Sequence, residues 1–174
     1  MGAMARSHLR NMLPREDTVV VAVCEPSPSA LGLTATEFSR IGLPTPPNEP
    51  DWTRFVERFV PDLDVVFIIT PHVFHAAQTT ACLEAGVDVL LEKPMVMNAA
   101  EAEALIATRD RSGRLLVIAF PGSLSPQVRA AARMVASGEV GTLLNVNAMV
   151  SSGSTTLSFV MERFVATAVA PVPL

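Results

Sequence analysis

The feature that most restricts this chain is a set of short apolar runs alternating with stretches of helical character. Thr18–Cys24 (TVVVAVC), Asp64–Thr70 (DVVFIIT), Val87–Leu91 (VDVLL) and Arg114–Phe120 (RLLVIAF) are dense in β-branched and aliphatic residues. Continuous runs of this kind suit strands buried on both faces rather than strands with one wet face. The intervening stretches carry helix punctuation. Asp51 precedes Trp52, Phe55, Val56 and Phe59 at helical spacing, and Gly86 closes a helix over His72–Ala85. Asn98 and Gly113 bracket a helix over Ala99–Arg111, and Gly138 stops one over Pro126–Ser137. Strands that alternate with helices predict an α/β fold with a parallel sheet covered on both faces.

Other segments have weaker patterns. Ser27–Pro50 is rich in proline and is expected to be mostly loop, with a brief helix near Ala35–Ile41. Thr142–Val150 alternates like a half-exposed strand, and beyond Ser151 no period is evident. No internal repeat stands out.

Composition excludes several classes of function. The 174 residues carry a formal net charge of −4, no run of basic residues, one Trp and no Tyr. Nucleic-acid binding is therefore not expected, because a phosphate footprint and stacking platforms are both missing. Met1–Leu13 is not followed by the apolar core of a signal peptide, and Leu157–Val172 is broken by Glu162, Arg163 and Pro171. No membrane segment is expected, and a cytoplasmic protein is. Cys24 and Cys82 lie in apolar contexts and read as buried thiols. Charged residues make up only 17% while mean hydropathy is +0.38, so apolar surface is expected to be reserved for a partner or for a part of the protein not in this chain.

In an open parallel sheet, ligands bind beyond the carboxyl ends of the strands. Three of the runs end in polar or proline residues: Glu25, Thr70-Pro71 and Glu92-Lys93-Pro94. A carboxylate at Glu25 suits a pair of ribose hydroxyls and repels a 2′-phosphate, although a solvated turn before Pro26 would look the same. Lys93 is the single lysine of the chain, fixed between a strand and Pro94. It reads either as a surface lysine or as a group that polarises a substrate hydroxyl and shuttles its proton. His72 and His75 share one helix face, and two ligands without a neighbouring carboxylate or thiol cluster make no metal site. They read as packing near the cleft floor or as a hydrogen bond to a ligand. The chain contains no G-x-G-x-x-G, P-loop, G-x-S-x-G or H-E-x-x-H.

The ordered segments VVVAVCEP, DVVFIITPHVFHAAQTTACLEAGVDVLLEKPM, RSGRLLVIAF and VRAAARMVASGEVGTLLNV resemble the Gfo/Idh/MocA family of NAD(P)-dependent oxidoreductases. The resemblance runs from about Arg6 to Val150 and rests on T-P-x-x-x-H, the A-G turn and E-K-P in that order. It implies a parallel Rossmann-like sheet that lacks its first strand and glycine-rich turn, with Met4–Leu13 as the end of the helix after that turn. It further implies an incomplete dinucleotide-binding domain over 1–141, and over 142–174 the start of a C-terminal α+β domain for substrate and oligomerisation. By resemblance, the cofactor-binding residues are Glu25, Thr70, Pro71, His75, Glu92, Lys93 and Pro94, with Lys93 also catalytic. The implied cofactor is NAD or NADP, with NAD favoured by Glu25. The implied reaction is hydride transfer between the nicotinamide and a sugar- or polyol-type secondary alcohol, in a chain truncated at both ends. A homo-oligomer is a further expectation. The competing expectation is a catalytically inactive remnant that acts as a binding or interaction module.

Overall fold

The computed structural model describes residues 1–148 and 164–166. The chain divides into two compact units, Met1–Phe120 and the residues from Pro121 onward.

In the first unit, α1 (Ala3–Met12), α2 (Pro28–Ser39) and α3 (Trp52–Phe59) precede the sheet. Strands β1 (Val65–Ile68), β2 (Asp88–Glu92) and β3 (Leu116–Ala119) follow, separated by α4 (His75–Glu84) and α5 (Ala99–Ser112). The sheet is parallel, in the order β1-β2-β3, with Val65 opposite Asp88 and Val89 opposite Leu116. It is the α/β arrangement expected from the apolar runs. Val66, Ile68, Val89 and Leu91 point into a core with Phe55, Val60, Cys82, Leu83 and Leu105. These are the aliphatic residues of the runs and of the helical stretches between them, which is why the crossover helices close down on the sheet.

Helix boundaries follow local chemistry. Asp51 and Asn98 cap α3 and α5 by accepting the N–H groups of Arg54 and Glu101. Gly113 ends α5 at φ +66°, a left-handed conformation that costs a residue with a Cβ. Helix α1 covers the stretch that the resemblance reads as the end of a helix. Arg10 on α1 donates to Glu37 on α2 through Nε and Nη2, and Arg40 donates to the same carboxylate.

Two expectations need correction. The proline-rich segment forms a twelve-residue helix, α2, rather than a brief turn of helix. Ser27 accepts the Ala30 N–H, Pro28 occupies the first turn, where its missing N–H costs nothing, and the remaining prolines lie beyond the helix end. Conversely, Thr18–Cys24 is not a strand of the sheet. Only Val23 forms a bridge, to Asn48, while Val19 is 81% and Val21 46% exposed. The physical reason is the absence of a main-chain neighbour: a groove, rather than another strand, separates this segment from β1.

In the second unit, α6 (Pro126–Ala136) is capped by Ser125, which accepts the Val128 N–H. The expected strand over 142–150 contains β4 (Val146–Ala148), which pairs antiparallel with β5 (Phe164–Ala166). Residues 149 and 150, and most of the tail read as lacking a period, lie outside the described residues. Among the described residues, no helix is long and apolar enough to cross a membrane.

Candidate functional site

The end of β1 is organised by a buried imidazole. After β1 the chain passes through Thr70 and Pro71 into a short turn, His72–Phe74, and then into α4 at His75. His75 is fully buried. Its Nε2 lies 2.9 Å from the Thr70 carbonyl oxygen and its Nδ1 2.8 Å from the Pro94 carbonyl oxygen. One ring thus spans the ends of two adjacent strands. Thr70 Oγ1 donates to Gln78 Oε1 at 2.6 Å, which leaves the hydroxyl's lone pairs free to accept.

At the end of β2, Glu92 turns inward. It is 8% exposed, and its Oε1 lies 2.8 Å from His8 Nε2 on α1, while its Oε2 accepts the Lys93 N–H. The Lys93–Pro94 peptide is cis. The Lys93 side chain is exposed and makes no hydrogen bond or ion pair among the described residues. A donor of this kind, next to a fixed peptide, is available to a ligand.

Glu25 is held by Asn48. The Asn48 side chain accepts the Glu25 N–H at 3.0 Å and donates to the Glu25 carbonyl at 3.1 Å, imitating a neighbouring strand. The Glu25 carboxylate accepts the Ser27 N–H at 2.7 Å and pairs with the Met1 ammonium. Next to Met1, Gly2 begins α1 without a side-chain cap, and the first turn of α1 has no acidic residue. Free N–H groups at such a helix start favour an anion.

A groove of about 820 Å³ runs past some of these features and not others. Glu25, Thr70 and Pro71 lie on its lining together with Met1 and Gly2, whereas His75, Glu92, Lys93 and Pro94 do not. The second group reaches the first through His75, which contacts both Thr70 and Pro94. Asn48, His8 and Gln78 are positioning residues that sequence reasoning did not single out. Asn48 and His8 act on partners 23 and 84 residues away, so no local motif signals them, whereas Gln78 acts on Thr70 from the next helix.

The profile of the oxidoreductase family with an NAD-binding Rossmann fold matches residues 1–120. This chain belongs to that family. Curated relatives of this oxidoreductase-family chain include trans-1,2-dihydrobenzene-1,2-diol dehydrogenase of Bos taurus, 39% identical over 88 residues, covering 51% of this chain and 26% of that protein. D-xylose 1-dehydrogenase (NADP(+)) of Hypocrea jecorina is 36% identical over 96 residues, covering 52% of this chain and 23% of that protein. The chain therefore matches about a quarter of the length of these relatives. Among solved structures, scyllo-inositol dehydrogenase of Lactobacillus casei with NAD(H) and scyllo-inositol superimposes with a TM-score of 0.70. That match is 23% identical and covers 83% of this chain and 41% of the other. It establishes a shared Rossmann-like fold.

Proposed function

We propose that this chain carries the dinucleotide-binding half of an oxidoreductase that transfers hydride between a nicotinamide and a sugar- or polyol-type secondary alcohol. The observation that carries the reading is that Glu25, Thr70, Pro71 and the start of α1 line one groove within the region matched by the family profile. The residues present suit such a cofactor. A carboxylate receives ribose hydroxyls, the uncapped α1 start attracts a diphosphate, and the unpaired Lys93 amine stands beside the next strand end.

In this reading Glu25 orients the adenosine ribose and disfavours a 2′-phosphate, so NAD is preferred over NADP. Thr70 and Pro71 form the wall along the dinucleotide. His75 holds that wall against the Lys93–Pro94 corner, and Glu92 fixes the Lys93 main chain. When bound, the nicotinamide supplies the hydride acceptor or donor. Lys93 Nζ stands to hydrogen-bond the substrate oxygen and to shuttle its proton as alcohol and carbonyl interconvert. The unit from Pro121 onward would begin the domain that selects the substrate.

Calorimetric titration of the purified chain with NADH and NADPH tests the binding. Saturable NADH binding with a Kd below about 100 μM is expected, with NADPH weaker. Glu25→Ser should narrow the gap between the two cofactors. No heat up to millimolar NADH would refute the reading. Oxidation of a polyol panel, followed at the NADH absorbance band, tests Lys93. Lys93→Ala should lower turnover by about 10²-fold or more, and unchanged turnover removes Lys93 from the chemistry.

A second reading, a non-catalytic binding module, is favoured by a different observation: the same groove is walled almost entirely by aliphatic residues and unpaired main chain.

A further inference from the structure

Every second residue of β1 and β2 faces away from the core. Val66, Ile68, Val89 and Leu91 are buried in it, and Phe67 stands opposite Leu90 in the register. Alternation therefore places Phe67, Leu90 and Glu92 together on the other face of the sheet. Helix α1 meets that face with His8. The His8 ring approaches Phe67 edge-on, with centroids 6.1 Å apart and planes at 72°, and its Nε2 lies 2.8 Å from Glu92 Oε1. One contact to β1 and one to β2 thus fix a single imidazole.

Glu92 has few other partners. It is one of two buried carboxylates among the described residues, Glu37 being the other. Glu37 has the guanidinium groups of Arg10 and Arg40, whereas the one basic side chain paired with Glu92 among the described residues is His8. A carboxylate only accepts, so His8 Nε2 is the donor. Glu92 Oε2 accepts the Lys93 N–H at 3.1 Å, so both oxygens have a protein partner. On the other side of Lys93, the Pro94 carbonyl oxygen lies 2.8 Å from His75 Nδ1. The main chain at Lys93 is therefore held before and after by imidazoles from α1 and α4, while its exposed amine has no partner among the described residues.

We propose that His8 is a positioning residue for Lys93: through Glu92 it sets the main-chain point from which the amine reaches a substrate. The proposal rests on the reading of Lys93 as the group that handles the substrate proton. A lysine amine stands on a flexible stem, so the fold controls its reach by fixing the root of that stem. Misplacing a reacting group by about 1 Å costs about 10²-fold in rate. Without His8, Glu92 is left buried with one oxygen unpaired, and its carboxylate turns toward water or another donor. That turn releases the Lys93 N–H from Oε2. Glu92 also lies off the groove lining, so it serves the cofactor end indirectly, through Lys93.

The test compares His8→Leu, which fills space without a donor, with His8→Gln, whose side-chain amide offers an N–H at about the reach of Nε2. Amide exchange followed by NMR reports on the Lys93 N–H, and the Val89 N–H, bonded to the Leu115 carbonyl, is the reference within the same strand. Relative to Val89, exchange at Lys93 should quicken about tenfold or more in His8→Leu and return toward wild type in His8→Gln. Should His8→Leu not fold, His8→Asn takes its place, since its amide stops short of Glu92. No change at Lys93, an equal change at Val89, or no rescue by His8→Gln would overturn the proposal, because the donated hydrogen bond would then not be what holds the corner. Oxidation of a polyol panel adds a kinetic readout. In His8→Leu, kcat should fall about tenfold while the KM for NAD changes less than about twofold, and an unchanged kcat would also overturn the proposal. If the wild type oxidises no polyol, the hydride-transfer reading fails by itself, and the exchange comparison still decides whether His8 holds Lys93.

Discussion

His75 offers the sharpest test of how the strand ends are held. The ring is fully buried, with nitrogens 2.8 and 2.9 Å from the carbonyl oxygens of Pro94 and Thr70. A neutral imidazole has one N–H and satisfies one carbonyl, whereas an imidazolium satisfies both. Counting a single bond is therefore the conservative choice, at about 1 kcal/mol. Truncation to Ala also leaves a hole where a ring packed, and incomplete collapse adds at least about another 1 kcal/mol. His75→Ala should thus lower stability by about 2 kcal/mol or more, roughly a thirtyfold change in the folding constant. His75→Leu fills most of the volume and removes both nitrogens, so it isolates the hydrogen-bonding part. Urea unfolding of the three proteins, read through Trp52 fluorescence, gives the differences. Amide exchange of the turn after Thr70 and of the segment after Pro94 should accelerate together in both variants. If His75→Leu unfolds at the wild-type urea concentration, or only one of the two segments loosens, the ring does not tie the strand ends together.

Three other expectations rest on separate contacts. The Arg10 guanidinium holds the Glu37 carboxyl at about 2, below its ordinary 4.5, so the contribution of this group is complete above about 4.5 and fades as the pH falls toward about 2. Glu37→Gln should flatten the fall of the urea midpoint across that window, and an unchanged slope would discard the α1–α2 clamp. Burial pushes the Cys82 thiol up to about 12 and raises the half-buried Cys24 thiol less, so iodoacetamide should modify Cys24 first and Cys82 only on unfolding. Mass spectrometry of the alkylated peptides decides it; early Cys82 labelling would mean that the core opens locally. Asn48→Ala removes both side-chain bonds to the Glu25 main chain and should cost about 1–3 kcal/mol. Exchange at the Glu25 N–H should rise in this variant, and protection there equal to wild type would show that something else positions the carboxylate.

Local chemistry in the sequence reveals much of this fold. The runs Asp64–Thr70, Val87–Leu91 and Arg114–Phe120 become strands that pair in parallel, with Val66, Ile68, Val89 and Leu91 buried in the core and Leu116 and Ile118 packed against it. Asp51, Asn98 and Gly113 mark helix ends because their interactions span only a few residues. Thr18–Cys24 has the same local character and a different outcome, since a strand is made by its neighbour and a run of valines cannot report whether one is there. Proline density concealed α2 for a related reason. The prolines of Ser27–Pro50 count alike in composition, yet Pro28 starts a helix while Pro44, Pro46 and Pro47 lie past its end. At the candidate site, Glu25, Thr70 and Pro71 could be found as the ends of apolar runs. Asn48, 23 residues from Glu25, and His8, 84 residues from Glu92, could not, because their partners meet only after folding.

The same geometry explains how the Glu25 corner can exist beside an open groove. In a continuous sheet, the end of a strand is positioned by ladders on both sides. Here the end of Thr18–Cys24 is fixed from one side only, by Val23 with Pro47 and Glu49 and by the Asn48 side chain on the Glu25 main chain. On the far side of the groove, Thr70 is fixed by His75 and Gln78 rather than by a strand. Side chains thus do locally what sheet continuity would otherwise do, so the Glu25 and Thr70 ends are held while the apolar walls behind them remain unpaired.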